Sequence, residues 1–170
     1  ASVNGSNLNV GSPIFIGKGG ILTVNADGSY SFNTNGQYDY LADGSSTTET
    51  FTYQAVDDQG ALSNVATVTI TISGTNDAPI AVVDTGSIDE DSILNITASG
   101  ILFNDTDVDA GATRTVASVN GSNLNVGSPI FIGKGGILTV NADGSYSFNT
   151  NGQYDYLADG SSTTETFTYQ

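Results

Sequence analysis

The side chains able to do chemistry in this chain are almost all carboxylates. Asp105, Asp107 and Asp109 recur at every second position in one loop-like stretch. In an extended segment, side chains at i, i+2 and i+4 point the same way. Three carboxylates on one side repel one another at neutral pH unless a cation stands among them. Calcium takes about six to eight oxygens in a flexible shell, so the triplet suits Ca2+; the other reading is a solvated loop. The stretch is not an EF-hand loop, because Ala110 stands where that loop needs Gly and Val116 where it needs a bidentate Glu. Asp89, Glu90 and Asp91 are consecutive and cannot all face one ion from a regular strand, so one or two are candidate ligands and the rest are solvated. Asp57 and Asp58 precede Gln59-Gly60 at a strand end, where a turn role and a ligand role are equally open. Asp27 and Asp143 read as turn residues.

Composition narrows the chemistry further. There is no His and no Cys, which removes the commonest general base, thiol chemistry and disulfides, and makes zinc, copper and iron sites poor fits. No catalytic Ser motif is present, and paired carboxylates alone would leave only glycosidase chemistry, so the chain reads as a non-enzyme. The formal net charge is -15, from 18 acidic and 3 basic residues. That excludes nucleic acid as a partner and disfavours an anionic membrane surface. The acids concentrate in residues 55–116, around Asp57, Asp77, Asp84, Asp89 and Asp105, with Arg114 the one base there. A domain without disulfides needs a sufficient core or another staple, and a metal is the obvious one.

These acids must be positioned by a repeated scaffold. Residues 117–170 reproduce residues 1–54 without a change, at an offset of 116. A period of that size fits one small domain per repeat rather than a solenoid. The sequence reads as a slice of a longer array, about one and a half units long. Residues 1–75 are then the C-terminal part of one unit and residues 76–170 the N-terminal part of the next. The junction falls near Gly74-Thr75-Asn76-Asp77-Ala78-Pro79, where an alternating run ends and Pro79 stiffens the chain.

Alternation is the dominant pattern, and no helix of useful length is indicated. Ala66, Val68, Ile70 and Ile72 form one face of a strand whose other face is Thr-rich. Phe51, Tyr53 and Ala55 share a face. Leu22 and Val24 alternate, as do Tyr30 and Phe32, and Asn25-Ala26-Asp27-Gly28 between them suits a hairpin turn. Asn35-Gly36 and Asp43-Gly44 mark further turns. Short strands with turns about every ten residues predict a β-sandwich. Most of the 8 Tyr and 7 Phe fall at alternating positions and read as core; Tyr38 and Tyr40 are the candidates for an exposed sugar-binding platform.

Five motifs in cyclic order carry a resemblance: VTITISGTNDAP (68–79), SIDEDS (87–92), LFNDTDVDAG (102–111), LTVNADGSYSF (22–32) and ETFTYQAVDDQG (49–60). The set resembles the VCBS-type, cadherin-like repeat of giant bacterial surface adhesins, including large repeats-in-toxin adhesins. The resemblance implies an immunoglobulin-like antiparallel sandwich in head-to-tail arrays, calcium at domain junctions, and a role in attachment and biofilm formation at the cell surface. On that resemblance Asn76 and Asp77 are linker ligands of calcium; a plain turn is the other reading. The expected function is a structural extender that projects a distal adhesion domain, with a carbohydrate- or protein-binding module as the alternative. The expected partners are identical repeats in the same chain. Pairing between molecules, with strands at 55–73 of one chain completing residues 117–170 of another, is a second arrangement.

Overall fold

A computed structural model describes all of residues 1–170. The chain is all-β, with antiparallel sheets and three short 3-10 turns at Asn7–Asn9, Gly100–Leu102 and Asn123–Asn125. It divides into two compact units. Unit 1 comprises Ala1–Asp77 with Val108–Ala112, and unit 2 comprises Ala78–Asp107 with Thr113–Gln170. The chain thus leaves unit 1 after Asp77 and returns to it for the five residues 108–112.

Unit 1 holds strands β1 (Ser2–Val3), β2 (Ile14–Ile16), β3 (Gly20–Val24), β4 (Tyr30–Asn33), β5 (Ser46–Gln54) and β6 (Ala66–Ser73). They form two three-stranded sheets, ordered β1-β5-β6 and β2-β3-β4. The predicted hairpin is present: Leu22 pairs with Phe32 and Val24 with Tyr30. Gly28 closes its turn at φ +87°, and the next turn places both Asn35 and Gly36 in the left-handed region. The two sheets bury Val3, Ile16, Leu22, Val24 and Phe51 between them, with Val68 and Ile70 packed on this core. A second cluster joins Tyr38, Leu41 and Ile72. The two sheets pack face to face as an immunoglobulin-like sandwich.

The apolar face read for β6 is the face that packs. Its register sets Phe51 opposite Val68, Glu49 opposite Ile70 and Thr47 opposite Ile72. Residues directly opposite share a face, so Glu49 points inward. Its carboxylate accepts a 2.9 Å hydrogen bond from the Tyr38 hydroxyl. Gly17, at φ +56°, leaves room for that carboxylate, which a Cβ at position 17 would strike.

Unit 2 holds β7 (Ile93–Ile96), β8 (Ile130–Ile132), β9 (Gly136–Val140) and β10 (Tyr146–Asn149) in one sheet ordered β7-β10-β9-β8. Its core is Ile101, Leu102, Val116, Val119, Ile132, Leu138 and Val140. β8, β9 and β10 repeat β2, β3 and β4. The identical residues diverge at two places. β10 gains β7 as a partner, whereas β4 is a sheet edge. Residues 162–170, the copy of β5, form no ladder, and a single bridge joins Val119 to Tyr169.

Candidate functional site

Asp105 and Asp109 are the two buried carboxylates of the chain, each 6 % exposed. Burying a charge is costly unless it is paired or hydrogen-bonded. Each is met by a backbone N–H. Asp105 Oδ1 accepts from Val82 N at 2.8 Å within unit 2, and Asp109 Oδ2 accepts from Asp77 N at 2.9 Å within unit 1. Asp105 is held in place by the Ile80–Thr106 bridge, whose two N–H···O bonds measure 2.8 and 3.0 Å. The Val108–Ala112 segment is fixed in unit 1 by Ala110 N donating to Tyr40 O at 2.9 Å.

The densest convergence of oxygen atoms surrounds the Tyr169 hydroxyl in unit 2. Val82 O and Ile101 O lie 3.0 Å from it, and Asp84 Oδ2 and Asp105 Oδ1 lie 3.1 Å from it. A phenol has one proton to donate, so four acceptors share one donor. Burial pushes the Tyr169 hydroxyl far above its usual pKa, and its hydrogen bonds to Asp105 and Asp84 add to the shift. Nearby, Asn104 Nδ2 donates to Val83 O at 3.2 Å, while Asn104 Oδ1 is buried without a hydrogen-bond partner. Asp84 was not among the sequence-level candidates. Its only signal is an acid closing the apolar run Ile80-Ala81-Val82-Val83.

The remaining candidates are dispersed. Asp107 is half-buried. Asn76 is exposed and donates to the Asp77 carbonyl at 2.9 Å. Asp89 closes a turn through Ser92 N at 3.0 Å; Asp89 and Asp91 are exposed, and Glu90 is half-buried with Oε2 unpartnered. Asp57 is occupied as a turn residue, since its Oδ1 accepts from Gln59 N at 3.0 Å and Ala61 N at 2.7 Å. Asp58 is exposed beside it. No three acidic side chains gather into one group able to hold a metal ion. The donor set around Asp105 therefore consists of two carboxylates, two carbonyls and a phenol. All are oxygen ligands, the chemistry a hard cation accepts and a soft one does not.

Asp27 and Asp143 are turn residues as expected. Each accepts from the hydroxyl and the N–H of the Ser two positions on, and these bonds hold both carboxyls below their usual range. Tyr38, a candidate for the alternative sugar platform, is core at 4 % exposure, and Tyr40 is half-buried under the Lys18 ammonium, 4.3 Å from its ring centre. No helix is long and apolar enough to cross a membrane.

An antiparallel sandwich without helices is the fold of a cadherin-like class of module. The chain matches the bacterial cadherin-like domain family over residues 1–74 and again over 76–170, and it belongs to that family. The family is a non-catalytic, adhesion-type fold of extracellular repeat proteins. No curated protein and no solved structure matches the chain.

Proposed function

We propose that the chain is an extender repeat of a bacterial cell-surface adhesin, of the VCBS and repeats-in-toxin type, stiffened by calcium and serving attachment and biofilm formation. In this role successive sandwich units set a distal adhesion domain away from the cell. The observation that carries the reading is the buried Asp105 carboxylate, set with Asp84 and two carbonyls around a single phenolic proton. Asp84, Asp105, Val82 O and Ile101 O would hold the ion in unit 2. Asp77 and Asp109 supply further oxygens where the chain leaves unit 1 and returns to it. A bound cation would offset the negative charge of these acids, and so couple folding to the calcium of the medium. The unchanged copies fit selection for length better than selection for recognition. With Tyr38 in the core, no specific feature favours a sugar-binding role.

Calorimetric titration of chelator-treated chain with calcium tests the reading. A saturable heat that falls away in Asp105→Asn supports it. Calcium heats identical in chain and variant would remove Asp105 from the account.

A further inference from the structure

The four-stranded sheet of unit 2 turns one face to the core and leaves the other uncovered. Leu138 and Val140 of β9 are buried in the core, so the alternate residues Ile137 and Thr139 point outward. Residues directly opposite one another share a face. Pairing thus carries one outward row across all four strands, with Phe131 opposite Ile137, Ile137 opposite Asn149 and Asn149 opposite Ile93. Phe131 is 75 % exposed and Ile93 54 %. Thr139, Ser147 and Asn95 form the next row, so no strand residue on this face is charged. The open phenylalanine is a property of the repeat. Phe15 is exposed to the same 75 %, although residues 46–54 ladder with β6 and residues 162–170 form no ladder. The row is bounded by a charge at each end. Lys134 stands in the turn between β8 and β9, three residues after Phe131, and Asp91 stands two residues before Ile93; both are exposed.

We infer that this face pairs with the same face of a second copy of the chain. A row with a cation at one end, an anion at the other and apolar groups between them is complementary to itself reversed. A two-fold axis parallel to the strands lays Lys134 of one copy against Asp91 of the other, and Phe131 against Ile93. A chain of net charge -15 repels its copies over most of its surface, and this uncharged sheet face is where they can meet. Four strands about 4.8 Å apart and ~13 Å long make a face of about 250 Å². Two such faces bury well under the ~1,200 Å² of a stable complex. One pairing is therefore weak, with a Kd on the order of 0.1–1 mM. It gains strength where the 116-residue period sets the same face repeatedly along two chains. No ion takes part, and the pairing is tested in calcium and in chelator alike, so its failure is separate from any failure of the calcium reading.

Sedimentation equilibrium of the full chain at ~0.05–1 mM tests the pairing. The expected result is a reversible association of monomers. Phe131→Ser weakens it at least about 10-fold, with an unchanged melting temperature because the side chain is already exposed. Lys134→Asp weakens it too, and Lys134→Asp combined with Asp91→Lys restores it, a rescue that a merely sticky surface does not give. A chain that stays monomeric at ~1 mM overturns the inference. Association left intact by Phe131→Ser, or not restored by the charge swap, overturns it as well. A monomer retained on neutral polysaccharide through Phe131 would assign the face to a glycan and overturn the second copy as its occupant.

Discussion

Phe51 and Phe167 are one residue of the repeat met twice, 116 positions apart, and they stand in different surroundings. Phe51 lies opposite Val68 and is 3 % exposed. Phe167 lies outside any ladder and is half-buried against the unit 2 core. The two positions share their local sequence and differ in what pairs beside them.

The two positions therefore respond differently to truncation. Phe51→Ala is expected to cost about 3–5 kcal/mol, the range for a fully packed aromatic. Phe167→Ala is expected to cost less, since Phe167 is only half-buried at the margin of the unit 2 core. Urea unfolding of each variant, followed by exchange protection in its own unit, checks the asymmetry.

Gly17 is needed twice over, for its left-handed backbone and for the space filled by Glu49. Gly17→Ala is expected to destabilise by about 2–3 kcal/mol. Gly28→Ala, with a similar φ but open space around it, costs about 1 kcal/mol from the backbone alone. Thermal melts of the two single variants separate steric from conformational cost.

Opposite ends of the pH scale engage different groups. Tyr38, Tyr146, Tyr154 and Tyr169 are raised above the ordinary 10.0, in each case first by burial. The folded state holds these protons more tightly than the unfolded chain, so the associated stability is complete below pH 10 and falls as pH rises through the folded values. Asp27 and Asp143 are lowered from 3.8 by their Ser partners. Their contribution is present above that pH and is lost as pH falls through the lower folded values. Ultraviolet titration of the phenols and carboxyl NMR should show four late tyrosines and two early aspartates.

Asp105→Asn separates charge from hydrogen bonding at one buried carboxylate. The amide oxygen keeps an acceptor for Val82 N–H and removes the negative charge beside Asp84. In chelator the variant is expected to be no less stable than the parent, because one of the two carboxylates that share the Tyr169 hydroxyl loses its charge. Asp105→Ala loses the acceptor too and costs about 1.5–3 kcal/mol. Denaturant midpoints in chelator for the pair decide whether charge or acceptor matters at this site.

Alternation made β6 readable because every inward residue from Ala66 to Ile72 is apolar. The Leu22–Val24 and Tyr30–Phe32 hairpin was equally open, since Asp27-Gly28 supplies the turn chemistry locally. β5 was harder. Its inward face includes Thr47 and Glu49, and Glu49 is satisfied by the hydroxyl of Tyr38, a residue that stood only as a candidate for an exposed platform. Phe15 and Phe131 break the pattern the other way, at 75 % exposure on the outer face of β2 and β8. The divergence of residues 46–54 from 162–170 lies beyond any local reading, because the letters are the same and only the partner differs. At the site, Asp105 and Asp109 were prominent by spacing. Asp84 and the oxygen ring around Tyr169 depend on chain segments about 65 to 85 residues apart.

The central claim is that calcium stabilises this repeat through its buried acids. Scanning calorimetry of the chain in chelator, in ~1 mM magnesium and in ~1 mM calcium tests it most directly, since a ligand bound only by the native state raises stability by mass action. The account predicts a melting temperature raised by calcium well beyond the magnesium value, and a much smaller rise in Asp105→Asn. Superimposable melting curves in chelator and in calcium would contradict it.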